Sequence, residues 1–304
     1  MAFGDINRVN TNLQSLSSQY SLNKINEELS KNQLELSTGL RINSAKDDAA
    51  GFSIASKLKA KLAGMNQANQ NIGDAQSMLN IANTGLNTIM DTLVQMKSKA
   101  TQGASGTLGQ TEMGYIEKQI NALGKEINTV ASNTKYNGSS LLSNSGAAIT
   151  KTFQVGEGSS DTMNVSINDS TTQSLFAAGT GGVNTNNSGG AGFTMAESGT
   201  DAGGNAIVSQ TDFQSLLGSI DSAINTLAGT TNQLGINQND LSIRQDNLSQ
   251  AITSNNAAKS RIMDANFAQV KSDSVRLQIL QQTATAALTQ ANSSPQAVLS
   301  IIKG

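Results

Sequence analysis

Apolar residues recur with heptad spacing near both ends of this 304-residue chain, and this spacing limits its fold more than any other feature. From Ala75 to Ala100 the apolar positions alternate in steps of four and three, and heptad spacing returns between Phe213 and Ile252. Such steps place side chains on one stripe of an α-helix, which a second helix covers. We therefore predict a mainly α-helical protein in which long helices from both ends pack antiparallel as a coiled coil or bundle.

The same spacing predicts the seam between these long helices. The chain has a single proline, Pro295, so almost nothing interrupts long helices. The predicted seam residues are Leu79, Leu86, Ile89 and Leu93 on the earlier helix and Ile220, Ile224, Leu227, Leu234 and Leu241 on the later helix.

The two ends of the chain carry narrower apolar stripes. A segment with so little apolar surface does not offset by itself the conformational entropy lost on ordering. We expect residues 1–40 to pair with 265–304 and neighbouring copies to cover the rest, so both ends are disordered in a monomer and helical in a polymer. The apolar residues assigned to this self-assembly interface are Ile6, Val9, Leu13, Leu16, Leu277, Leu280, Leu288, Val298 and Ile301.

The centre of the chain has a different pattern. Apolar and polar residues alternate between Thr152 and Ile167, which predicts short strands, and Asn137-Gly138 predicts a turn. Residues 177–206 are rich in Gly, Ser, Thr and Asn, which predicts a small loop-rich insert. The expected segments are a terminal helix at 1–43, helices and strands at 44–175, the insert at 176–208, and further helices at 209–257 and 258–304.

Composition excludes several classes of function. The chain contains no cysteine, histidine or tryptophan, which removes disulfides, thiolate nucleophiles and imidazole bases. The net charge of -2 lacks the basic excess typical of nucleic-acid binding. No apolar run has the length of a membrane span or a signal peptide. We expect no catalysis, cofactor, metal site, nucleic-acid partner or membrane insertion, and any export to use a route without a cleaved signal.

Charged residues make up only 14% of the chain, so Arg41, Asp47 and Asp48 stand out beside a helix break at Gly39. Ser44 is the expected cap of the helix that follows the break. Two interpretations stay open for the three charges. They pair between subunits or domains at a joint, in which case they join the self-assembly interface, or the aspartates only favour the first turn of a helix.

Several segments resemble the bacterial flagellin family. They are the opening Asn10-Thr11-Asn12-Leu13-Gln14-Ser15-Leu16, the run from Ser37 to Gly51 (STGLRINSAKDDAAG), the run from Ser260 to Phe267 (SRIMDANF), and Gln278-Ile279-Leu280-Gln281-Gln282, Gln290-Ala291-Asn292 and Pro295-Gln296-Ala297-Val298-Leu299. The resemblance covers about the first 140 and last 95 residues, and its motifs are long and specific.

This resemblance implies a subunit that polymerises into the extracellular filament of the bacterial flagellum for swimming. In flagellins the terminal helices form an inner core, D0, and the long antiparallel helices with a β-hairpin form the surrounding D1 layer. Subunits are exported unfolded by the flagellar type III system. The implied partners are further flagellin subunits, an export chaperone, the filament cap and hook-associated proteins.

Two other functions are alternatives to a filament subunit. A flagellin-like hook-associated junction protein would share the terminal heptads. A secreted enzyme with helical export arms would need a catalytic insert, and the absence of histidine removes an HExxH peptidase.

Flagellins also activate an innate immune receptor through a D1 helix. The stimulatory pattern resembles Leu-Gln-Arg-Val-Arg-Glu-Leu, whereas this chain has Leu93-Val94-Gln95-Met96-Lys97-Ser98-Lys99. Because Gln95, Ser98 and Lys99 depart from that pattern, we expect weak receptor activation.

Overall fold

A computed structural model describes residues 11–176, 183–184, 193–200 and 206–303. The chain divides into two compact units. The first contains Met1–Ala63 and Ile252–Gly304, and the second contains Gly64–Ala251. The boundaries of the five segments expected from the sequence remain a prediction.

Helices dominate the described residues, which confirms the mainly α-helical class. They are α1 (Leu13–Thr38), α2 (Ala49–Gly103), α3 (Gln110–Asn133), the short α4 (Thr172–Leu175), α5 (Gln210–Met263) and α6 (Phe267–Lys303). The division between the two units falls inside α2 and again inside α5.

Helix α2 begins later than predicted, and Asp48 rather than Ser44 caps it. The Asp48 carboxylate oxygen Oδ1 accepts a hydrogen bond from the Gly51 amide at 3.0 Å. The Ser44 amide and hydroxyl both donate to Asp47 instead, at 3.0 and 3.1 Å, which holds residues 44–47 in a turn. A Cβ at Gly51 would lie 2.5 Å from Asp48 Oδ2, so glycine keeps this cap compact.

Seam residues in the second unit are buried at nearly every predicted position. The buried members are Leu79, Leu86, Ile89, Leu93, Ile220, Leu227, Leu234 and Leu241. Ile224 is only half buried, and Ala223 takes the buried position in that turn.

The difference at Ile224 arises because two stripes on α5 share every second member. The structure buries Leu216, Ala223, Thr230 and Asn237 between the shared positions. Both stripes keep the alternation of three and four from 213 to 241, and both meet polar residues after Leu227, namely Thr230 and Asn237 on the buried stripe and Thr231 and Gln238 on the other. Sequence spacing alone does not show which of the two stripes is buried.

Two hairpins precede the insert. Strands β1 (Lys135–Tyr136) and β2 (Ser139–Ser140) flank Asn137 and Gly138, whose φ angles of 48° and 76° form the predicted turn. Such a turn needs positive φ at both central residues, which Asn-Gly tolerates best. Strands β3 (Ile149–Gln154) and β4 (Thr162–Ile167) pair antiparallel, which confirms the predicted strands.

The insert contributes short strands and part of the core of the second unit. Strand β5 (Val183–Asn184) pairs with β6 (Thr194–Met195), and β7 (Gly199–Thr200) pairs with β8 (Ala206–Ile207). The fully buried Phe193 ring lies against Gly124 of α3, where any Cβ would overlap it. The Met195 amide donates to Asn121 Oδ1 at 3.0 Å. The segment around Phe193 is therefore docked on α3, a contact that composition did not predict.

Candidate assembly surface of the terminal helices

Helix α1 carries two apolar stripes that face different directions. Leu13, Leu16 and Tyr20 follow three-four spacing and are exposed, with 61% of Leu16 and 72% of Tyr20 accessible. The next apolar residue, Leu22, follows Tyr20 by two positions, a rotation of about 200° around the helix. From Leu22 onward most apolar residues of α1 belong to a second stripe, which is buried or half buried, whereas Leu34 is exposed.

This second stripe packs against α6. The inward positions of α1 are Ser15, Ser18, Leu22, Ile25, Leu29, Asn32 and Leu36, and those of α6 are Val270, Ser274, Leu277, Gln281, Ala284, Leu288 and Ala291. Both sets alternate in steps of three and four, as the seam of a helix pair requires. Several inward positions are polar, so the pair buries little apolar surface for its length.

Polar contacts tie the two helices together in antiparallel register. Asn12 Nδ2 donates to the Ala291 carbonyl at 2.7 Å, and Ser15 Oγ donates to Asn292 Oδ1 at 2.6 Å. In the middle, Gln281 Nε2 donates to Asn26 Oδ1 at 2.7 Å.

Near the other end of α1, the buried Asn32 Nδ2 donates to the Val270 carbonyl at 3.1 Å. The apolar pattern did not single out these amides, and their only sequence signal is asparagine or glutamine near inward heptad positions.

Arg41 lies at the joint where the two helices meet their long neighbours. Its guanidinium Nη2 donates to the Ile262 carbonyl at 2.7 Å, and its amide donates to the Met263 carbonyl at 2.6 Å. Leu40 and Asp264 form an isolated antiparallel bridge beside these contacts. Arg41 therefore satisfies carbonyl groups at the C-terminal end of α5.

Asp47 and Asp48 have partners within the same chain. Asp47 Oδ1 lies 3.2 Å from Lys31 Nζ, and Asp47 Oδ2 accepts from the Asn43 amide at 3.2 Å. The hydrogen bond with Lys31 is the main reason that the pKa of the Asp47 carboxyl is lowered. Both aspartates therefore precede the first turn of α2, in which neither lies. Asp48 caps the helix, and Asp47 has a partner on α1.

The predicted interface residues fall into different environments. Leu13, Leu16 and Leu280 are exposed, Leu288 is half buried and Leu277 is buried against α1. Ile6 and Val9 lie outside the described residues, and nothing is described of the Val298 and Ile301 side chains. The exposed apolar surface also includes Phe267, Val275 and Ile279 of α6, which the prediction did not name.

Neither a metal site nor a membrane span is found in the described part of the chain. No group of three or more acidic side chains within residues 11–176, 183–184, 193–200 and 206–303 could hold a metal ion. Over the same described ranges, no helix combines the length and apolar character needed to cross a bilayer.

Paired terminal helices with exposed apolar stripes, and long helices with heptad seams, define a class of helical structural proteins. Comparison with known proteins identifies the family within this class. The model of the bacterial flagellin N-terminal helical region matches residues 9–147, and that of the C-terminal helical region matches residues 217–302.

Relatives match over nearly the whole chain. The flagellin of Listeria monocytogenes is 30% identical over 299 residues, covering 97% of this chain and 99% of the relative. The flagellar filament 33 kDa core protein of Treponema phagedenis is 30% identical over 300 residues with the same coverage. A solved structure assigned as a flagellar hook-associated protein of Vibrio parahaemolyticus has a TM-score of 0.55 at 16% identity and shares the fold, covering 72% of this chain and 100% of that chain.

The chain belongs to the bacterial flagellin family. It is a structural subunit of the extracellular flagellar filament and not an enzyme, which confirms the resemblance found in the sequence. The matches do not favour the hook-associated alternative, because the similarity to that protein is one of fold.

Proposed function

We propose that this subunit builds the filament by coupling the folding of its terminal helices to assembly. The observation that carries the proposal is the outward apolar stripe of α1, with Leu16 and Tyr20 largely exposed beside a polar seam. An isolated α1–α6 pair buries too little apolar surface to offset the ordering of about sixty residues. Neighbouring copies that cover the outward stripes supply the missing burial.

Low surface charge supports association between copies. The net charge of -2 on 304 residues gives little electrostatic repulsion between identical chains. The outward stripes of α1 and α6 are therefore the interface we assign, together with Ile6, Val9, Val298 and Ile301 at the ends of the same helices.

Arg41, Asp47 and Asp48 form the proposed joint between D0 and D1. Asp47 binds the turn between α1 and α2 to Lys31, Arg41 binds it to the end of α5, and Asp48 caps α2 beside them. We propose that these three residues fix the geometry with which the terminal helices connect to the long helices. All subunits in a regular filament must have the same geometry at this connection.

Family membership supports a proposal for the export route and the accessory partners. The subunit is exported unfolded by the flagellar type III system, held by an export chaperone and added beneath the filament cap, with hook-associated proteins at the base. The absence of cysteine fits this route, because no disulfide has to form after export. Innate receptor activation is weak, since Gln95, Ser98 and Lys99 replace the stimulatory residues.

Substitution on the outward stripe tests the assembly proposal. Leu16→Ser removes exposed apolar surface without changing the α1–α6 seam. We therefore expect loss of filament growth on seeds, while the melting temperature of the long helices stays unchanged. Gln19→Ser is the matched control on an exposed polar position of α1 and should assemble like the parent. Normal growth of the L16S chain would contradict the proposal.

A further inference from the structure

The apolar seam between α1 and α6 does not by itself specify one register. The cross-helix hydrogen bonds bring Leu29 about level with Leu277. Sliding α6 by one heptad would bring Leu36 level with Leu277 and Ile25 level with Leu288, which again sets large apolar residues opposite one another. A repeating seam needs a non-repeating contact to exclude such shifts.

Pro295 creates a non-repeating feature on α6. An α-helical carbonyl normally accepts a hydrogen bond from the amide four residues later. Proline has no amide hydrogen, so the Ala291 carbonyl receives no such bond although α6 continues through residue 295 to Lys303. Ala291 is only 2% exposed, and a buried carbonyl without a donor is unfavourable.

Asn12 supplies the donor that Pro295 lacks. Its Nδ2 donates to the Ala291 carbonyl at 2.7 Å, while its Oδ1 accepts from the Ser15 amide at 3.0 Å and caps α1. One amide side chain therefore starts α1 and satisfies the orphaned carbonyl on the partner helix.

We propose that Asn12, through the Ala291 carbonyl that Pro295 leaves free, is the residue that selects the register of the terminal helix pair. Any heptad shift separates Asn12 from Ala291, and the carbonyl then loses the donor that the cap of α1 holds in place. This assignment rests on the proposed function in one respect, because its experiment measures assembly into filaments.

Asn12→Asp isolates the donor from the cap. Aspartate keeps the oxygen that caps α1 but cannot donate to Ala291. Unlabelled variant and isotope-labelled parent chains are mixed equally and grown on filament seeds, and mass spectrometry gives their ratio in the pelleted filament. We expect about tenfold lower incorporation of the N12D chain, the cost typical of a buried acceptor left unpaired.

Pro295→Ala provides the rescue that a merely structural role would not show. Alanine restores the amide hydrogen at position 295, which then bonds to Ala291, so Asn12 is no longer needed as donor. We expect the N12D/P295A chain to be incorporated within about threefold of the P295A chain, a clear departure from additivity. Because incorporation is measured against the parent, a chain that polymerises poorly alone still gives a value.

Asn23→Asp is the matched control, since it makes the same charge change at an exposed position of α1. It should be incorporated within about twofold of the parent, as surface substitutions usually are. The assignment would be overturned if the Asn12→Asp change lowered incorporation equally in chains with Pro295 and in chains carrying Pro295→Ala. It would also be overturned if the N12D chain were incorporated as well as the N23D chain. Failure of the parent itself to pellet with seeds would instead contradict the proposed function.

Discussion

At the scale of single residues, buried aspartates anchor both ends of the insert. Asp169 accepts from the amides of Asn144 and Gly146, and Asp212 accepts from the amide and hydroxyl of Ser209. Burial acts to raise the pKa of each carboxyl, but the combined hydrogen bonds outweigh it, and both pKa values are lowered from 3.8. The ionised forms are therefore stabilised by folding.

The lowered pKa values predict acid sensitivity of the second unit. A carboxyl whose folded pKa is depressed contributes stability above its unfolded pKa and loses it as the pH falls through the folded pKa. For Asp169→Asn we expect a lower melting temperature than the parent at pH 7, and a difference that shrinks below about pH 4. Thermal unfolding across this pH range measures it, and a difference independent of pH would be contrary to this account.

The contact between Gly124 and Phe193 gives a second residue-scale prediction. Gly124→Ala places a methyl group against the buried ring, so we expect a loss of about 1–3 kcal/mol in the free energy of unfolding. Gly114→Ala on the same helix meets open space and should gain about 0.5–1 kcal/mol. Denaturant unfolding compares the two, and equal effects would show that Phe193 does not need the glycine.

At the scale of elements, capping explains where α2 begins. Asp48 occupies the position before Ala49 and binds the Gly51 amide, while Asp47 binds the turn that precedes it. Neighbouring aspartates thus have separate tasks, one for the helix and one for the turn.

The cap of α2 can be tested by a substitution and its reversal. Asp48→Ala should destabilise the start of α2 by about 1 kcal/mol, and Asp48→Ser should recover most of that loss, because serine also accepts from a helix amide. Hydrogen exchange of the amides of the first turn measures the change. Equal exchange in the D48A and D48S chains would argue for a role outside capping.

Local periodicity explains which elements the sequence could predict. The long helices and the Asn137-Gly138 turn are set by residues close together in the chain, so spacing and turn chemistry identify them. The phase of α5, the docking of Phe193 and the Asn12–Ala291 contact depend on partners far away in sequence. Spacing carries no information about such partners, and these features appeared only in the structure.

At the scale of the whole molecule, stability is unevenly distributed. The second unit buries long apolar seams on α2 and α5, with Thr230 and Asn237 as polar members on α5, whereas the α1–α6 pair has several polar inward positions and exposed apolar stripes. Such a chain has one part that folds on its own contacts and another part whose folding depends on copies of itself.

Hydrogen exchange in monomer and filament tests this dependence most directly. We predict that amides of α1 and α6 exchange rapidly in the monomer and become strongly protected in the filament, while the seam of α2 and α5 is protected in both. Terminal helices that are equally protected in both states would contradict the account.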